Sequence, residues 1–172
     1  MTNTSTPSGL PAALAAYLIW GLMPAYLLFV REVPAFEFVG LRILFTLPVC
    51  FLFLALRRQT GEVLTALRNP RAMLALTASA LIIGGNWLVY IVAVQGGHVF
   101  AASLGYYINP IVNVLLGTLF LKERLSPRQW AAVALASAGI ALLAWDARDM
   151  LWFSLTLALS FSVYGLIRKL IP

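Results

Sequence analysis

Ser103-Leu-Gly-Tyr-Tyr-Ile-Asn-Pro-Ile-Val-Asn-Val-Leu-Leu-Gly117 is apolar enough to enter a bilayer, yet it carries Ser103, Tyr106, Asn109, Pro110 and Asn113. On a helix these five residues and Gly117 fall within an arc of roughly 120°. Pro110 lacks an N–H, and its ring crowds the carbonyl of Tyr106, so that carbonyl loses its helical partner. A membrane helix with hydroxyl, amide and freed carbonyl groups on one face must turn that face toward protein or water. The remainder of the chain is read as what surrounds this stripe.

The composition excludes a soluble globular domain. Hydrophobic residues make up 62% of the 172 residues and charged residues only 10%, against roughly 25% charged in soluble domains. Six apolar spans are expected near 10–30, 36–56, 72–95, 101–121, 128–145 and 151–170, each about the length that crosses a hydrocarbon core. The fold class is therefore all-α and polytopic, with the lipid bilayer as the first partner. Residues 1–8 are polar and uncharged after Met1 and read as a disordered tail. No basic segment precedes the first span, which reads as retained rather than as a signal peptide. Cys50 lies within an apolar span, so no intrachain disulfide or thiolate metal site is implied.

The net charge of +6 lies in loops and at helix ends, with no dense basic run and interleaved aromatics to suggest nucleic acid. Short connections make consecutive spans antiparallel. Arg57, Arg58, Arg68, Arg71, Lys122, Arg124, Arg128, Arg168 and Lys169 then share one side, leaving Arg31 and Arg148 in loops on the other and Arg42 inside a span. The positive-inside rule puts the basic side and both termini of this chain in the cytoplasm, in an inner (plasma) membrane. The first and sixth spans also share a pattern, Ala16-Tyr-Leu-Ile-Trp-Gly21 and Ser160-Phe-Ser-Val-Tyr-Gly165. The copies are offset by five spans, so they cross in opposite senses, as in the inverted-topology repeats of transporters.

The runs Gly84-Gly-Asn-Trp-Leu-Val-Tyr90, Ala102 to Gly117 and Leu121-Lys-Glu-Arg-Leu-Ser-Pro-Arg-Gln-Trp130 closely resemble the RarD group of EamA-type permeases, in the drug/metabolite transporter superfamily. Ala16 to Pro24 and Tyr164-Gly-Leu-Ile-Arg-Lys169 are similar to that group too. The resemblance implies ten helices in two inverted five-helix halves. On that pattern 9–145 is the first repeat, and 151–172 the first helix of an incomplete second. It also implies a fragment or truncated product, whose open face a homodimer or the missing C-terminal half would cover. Alone, this chain is expected not to transport. Many relatives carry Glu immediately before the Ala-Ser-Leu-Gly-Tyr run, where this chain has Ala101, so no mechanism resting on an acid there carries over.

Candidate site residues follow from polar or aromatic groups at membrane depth. Ser79, Asn86, Tyr90 and Gly97 share one face of the third span, and Tyr17, Trp20 and Pro24 one face of the first. Asn86, Asn109 and Asn113 either hydrogen-bond between helices or face a solute; an unpaired amide there is costly. Trp20, Asn86, Tyr90, Tyr106, Asn109 and Asn113 are the expected solute-binding set, with Pro24 and Pro110 as hinges. Arg42 is a charge well inside a span, at a cost of about 2.5–3.5 kcal/mol on insertion scales. It either snorkels or pairs structurally, or attracts anions at the outer mouth. His98, in a Gly-rich turn, reads as solvated.

The chain has no phosphate-cradling Gly-rich Lys-Ser/Thr loop and no His-Glu-x-x-His. It has no acid near a span centre to name as a proton carrier, and it implies no cofactor or metal. The expected function is a secondary transporter moving a small organic metabolite or drug-like solute by alternating access. The alternatives are a non-transporting membrane scaffold or fragment and a membrane-embedded enzyme. The enzyme reading needs a converging nucleophile or acid–base pair, and the sequence offers none.

Overall fold

The computed structural model describes residues 9–58 and 60–170; the expected tail at 1–8 lies outside them. The helices are α1 (Leu10–Phe29), α2 (Ala35–Arg57), α3 (Thr60–Leu67), α4 (Pro70–Gln95), α5 (Val99–Phe120), α6 (Pro127–Asp146) and α7 (Leu151–Leu170). A 3-10 turn, Arg148–Met150, leads into α7. Six helical segments are long and apolar enough to cross a membrane: α1, α2, α4, α5, α6 and Arg148–Leu170. The expected spans fall on α1, α2, α4, α5, α6 and α7, with helix ends displaced by at most two residues.

The displaced starts have local causes. Asn69 caps α4, its Oδ1 accepting from the Arg71 and Ala72 N–H groups, and Pro70 occupies the first turn, where a missing N–H costs nothing. Ser126 and Gln129 form a capping box ahead of α6, which opens on Pro127. The connection after α2 was expected to be loop, yet it contains α3, eight residues with apolar positions on one side. Arg58 takes a left-handed conformation (φ 53°) at the end of α2 and turns the chain toward it.

The connections sort into two ends. The turns at 30–34 and 96–98 meet directly, because Gln95 Nε2 donates to the Val33 carbonyl at 3.0 Å. At the other end, called here the basic end, Lys169 Nζ lies 2.8 Å from Glu123 Oε1. Both partners are more than half exposed, so this pair contributes little to stability.

The centre of the bundle is α4, α5 and α7. α7 packs against both α4 and α5, while α1 and α2 lean on α4 and α6 leans on α5. Leu27, Tyr90, Ile91, Val94, Phe153 and Leu157 belong to the core cluster, which sits toward the end opposite the basic one. α2 and α6 bury no residue. Their apolar side chains are those expected to meet lipid rather than protein.

Close approach of α5 and α7 depends on Gly105. An ideal Cβ placed there would stand 3.0 Å from both Leu157 Cβ and the Ser154 carbonyl oxygen. With only hydrogen at that position, Ser154 Oγ reaches across and donates to the Ala101 carbonyl at 2.6 Å. Without a hydrophobic driving force between helices in lipid, such close packing and interhelical hydrogen bonds are what hold a bundle together.

Candidate functional site

The α5 stripe does three different things along its length. Ser103 and Tyr106, nearer the opposite end, line a cavity of about 500 Å³ between α1, α4 and α5. Asn109, at mid-helix and buried, accepts a hydrogen bond from Ser162 Oγ of α7 at 2.6 Å. Asn113 and Gly117 line a smaller pocket of about 260 Å³ at the basic end, between α5 and α7. Glu123 and Lys169 form part of the wall of that pocket. The helix itself runs unbroken from Val99 to Phe120 through Pro110. One polar face therefore opens to two pockets at different depths and is tied to α7 between them.

The larger cavity holds three of the expected binding residues, Trp20, Tyr90 and Tyr106, together with Pro24. Tyr17, Trp20, Gly21 and Pro24 bring the same face of α1 to its wall. Tyr90 and Tyr106 make no protein hydrogen bond through their hydroxyls, yet no partly buried side-chain oxygen or nitrogen among the described residues is both sealed and unpaired. Those hydroxyls therefore reach open space, as groups meant for a solute or water would. The volume falls within the range of pockets that take small organic molecules, roughly 300–1,000 Å³.

The rings around the cavity touch in sequence. Trp20 meets Trp87 edge-on at 5.9 Å between centroids, Trp87 meets Tyr90 at 5.8 Å, and Tyr90 meets Tyr106 at 5.8 Å. Tyr106 continues to Phe161 at 6.5 Å, and Phe161 to Tyr164 at 5.9 Å. This chain of rings links α1, α4, α5 and α7. Edge-to-face pairs of this kind contribute about 0.5–1.5 kcal/mol each beyond their buried area.

Asn86 does not line that cavity. Its Nδ2 donates to the Leu157 carbonyl at 3.0 Å and to Ser160 Oγ at 2.8 Å. Of the two readings open for each asparagine, Asn86 and Asn109 make interhelical bonds to α7, and Asn113 is exposed in the basic-end pocket. Replacing Asn86 with leucine is expected to weaken the α4–α7 contact by about 0.6–2 kcal/mol. Denaturant titration in detergent micelles would read it as a lowered unfolding midpoint. An unchanged midpoint would mean that the two bonds contribute nothing net.

The serine partners Ser154, Ser160 and Ser162 were not singled out as functional from the sequence. A signal existed in the Ser160 to Gly165 motif, which places two hydroxyls one turn from an aromatic pair. Trp87 was likewise passed over, although it joins the first-span aromatics to Tyr90. Arg42 lies on α2 with its Cζ 3.5 Å from the centroid of the Trp87 ring.

The profile of the EamA-like transporter family matches residues 7–145. The chain is 44% identical over 172 residues to an uncharacterized transporter of Pseudomonas aeruginosa, covering all of this chain and 58% of that protein. It is 43% identical over 169 residues to RarD of Salmonella typhi, covering 98% and 58%. It is 42% identical over 169 residues to RarD of Escherichia coli, covering 98% and 57%. The chain thus spans under three fifths of the length of these relatives, and no solved structure matches it. With its six membrane-length helices and a family match over most of its length, this chain belongs to the EamA-like transporter family.

Proposed function

We propose that this chain is the solute-handling half of a secondary transporter. The observation that carries the reading is the α5 polar face. It exposes Tyr106 to one cavity and Asn113 to another, with the Asn109–Ser162 bond between them. Breaking and remaking that mid-membrane tie while the helices rock would open the stripe to each side in turn. Trp20, Tyr90 and Tyr106 bind the solute in the larger cavity, Asn113 receives it toward the basic end, and Asn86 and Asn109 hold α7 in register. Pro24 and Pro110 are the hinges, since each frees a carbonyl within a membrane helix.

The solute is a small organic molecule with an apolar body and a few polar groups, which suits walls of aromatic rings with a few hydroxyls. The excess of Lys and Arg at the basic end makes that end cytoplasmic in the cell membrane, and both ends of this chain with it. Residues 9–145 form one five-helix repeat and 151–172 begin a second; the extent of the family match supports that boundary. The exposed faces of α2 and α6, and the open side of α7, require either lipid or further helices.

Proteoliposomes test this directly. The 172-residue chain alone is expected to give no flux of a mixed panel of labelled organic solutes. The same chain fused to the remaining segment of the Salmonella relative is expected to give saturable flux. Absence of flux in the fused form, with the protein inserted and folded, would remove the transporter reading. Flux from the chain alone would remove the requirement for a second half.

A further inference from the structure

We propose that Arg42, seated on the Trp87 indole between α2 and α4, is an oxyanion-binding site that selects solutes carrying a carboxylate or phosphate group. The inference deepens the transporter reading and rests on it for the word solute. The binding site itself stands on the geometry.

Arg42 is eight residues into α2, about 10 Å along the helix from its start. In α2 each Cα–Cβ bond tilts back toward the helix N-terminus, which is the nearer membrane surface. Reaching the headgroups would therefore be easy for this side chain. Instead its guanidinium lies sideways on Trp87, with Cζ 3.5 Å from the ring centroid. Trp87 is eight residues before the end of α4, about 12 Å along that helix, and its side chain leans inward. The charge is held at ring depth.

A cation–π contact satisfies one face of the guanidinium and none of its N–H donors. Among the described residues Arg42 has no ion pair and its side chain has no hydrogen bond. None of the acids on the same side, Glu32, Glu37, Asp146 and Asp149, pairs with it. The hydroxyl of Thr46, one turn along, is turned back to the Arg42 carbonyl at 2.6 Å. Five planar donors thus remain in a span where each unmet polar group is expensive.

Two hollows flank the group, of about 470 Å³ and about 390 Å³. Among the described residues Arg42 is the only charged one lining either. The larger is continuous in lining with the aromatic cavity through Met23, and the smaller through Trp87. An anionic group on Arg42 would therefore leave the apolar body of its molecule beside the Trp20–Trp87–Tyr90 rings. A carboxylate or phosphate matches the guanidinium fork in shape and charge, which a neutral amide does not.

The two sources of such an anion, a dissolved solute or a lipid headgroup, are separated by experiment. The chain is placed in nanodiscs of phosphatidylcholine alone, and equilibrium binding of labelled phenylacetate is compared with that of phenylacetamide. Phenylacetate is expected to bind at least about tenfold more tightly, as a charge-assisted bidentate pair would give. The preference should vanish in Arg42→Gln and survive in part in Arg42→Lys, which keeps the charge without the fork. Helix content by circular dichroism checks that each variant is folded, and the lysine variant carries the test should the glutamine variant misfold. Equal binding of acid and amide, a preference that persists in Arg42→Gln, or no binding of either would overturn the proposal. So would phosphatidylglycerol that co-purifies with the parent and not with Arg42→Gln while phenylacetate shows no preference, since the occupant would then be a headgroup. Acid binding without flux would count against the transporter alone; flux of neutral solutes with no acid preference would count against Arg42 alone.

Discussion

Replacing Gly105 with leucine is expected to push α7 off α5 and to destabilise the bundle by about 2–5 kcal/mol, combining overpacking with lost interhelical hydrogen bonds. The Cβ alone would stand 3.0 Å from the Ser154 carbonyl oxygen and from Leu157 Cβ. One of those neighbours is backbone and the other is the first atom of a fully packed side chain, so neither can swing aside. Any separation large enough for leucine also lengthens the Ser154–Ala101 bond, one turn away, and the Ser162–Asn109 bond, both 2.6 Å now. Gly105→Ala should cost less, because a shift of a few tenths of an ångström relieves it. Gly139→Ala is the control: nothing lies within 4 Å of a Cβ there, and a helix interior gains about 0.5–1 kcal/mol from the exchange. Denaturant titration of the three variants in micelles would rank them. A leucine variant as stable as the parent would mean that α5 and α7 are not in contact at Gly105.

The sequence made the helices legible because a membrane imposes length and polarity together. The six spans needed only hydropathy, and their ends moved by no more than two residues once Asn69–Pro70 and Ser126–Pro127 were read as caps. Periodicity also gave the right faces. Tyr17, Trp20 and Pro24 share a cavity wall, and Ser79, Asn86 and Tyr90 are all buried. Periodicity cannot say which helix lies opposite. The partner of Asn86 is 74 residues away at Ser160, and either amide could have bonded to any neighbour with a free acceptor or hydroxyl. The same limit hid Trp87 from Arg42. The helix on which a charge sits announces its own turn neighbours, such as Thr46, but not a ring contributed by another helix. α3 escaped notice for a different reason: an eight-residue helix in a polar connection lacks the length that made the other helices stand out.

Replacing Tyr106 with alanine in the flux-competent fused protein is expected to lower solute flux by about 10–100-fold, the loss of about 1.4–2.8 kcal/mol of solute contact. Tyr106 is placed to matter in two ways. Its ring joins Tyr90 to Phe161, so its removal breaks the aromatic wall between α4 and α7. Its hydroxyl makes no protein hydrogen bond among the described residues, so that group is available to the solute. Tyr106→Phe separates the two contributions, since it keeps both ring contacts and removes only the hydroxyl. Flux near the parental rate in Tyr106→Phe would assign the effect to the ring; flux as low as in the alanine variant would assign it to the hydroxyl. Asn86→Leu provides the contrast, because its bonds go to α7 and not into the cavity. It should lower the unfolding midpoint while leaving the apparent solute affinity within about twofold, as loss of an interhelical bond rather than of a solute contact would. If the order is reversed, with Asn86 setting solute affinity and Tyr106 dispensable for flux, the cavity between α1, α4 and α5 is not where the solute binds.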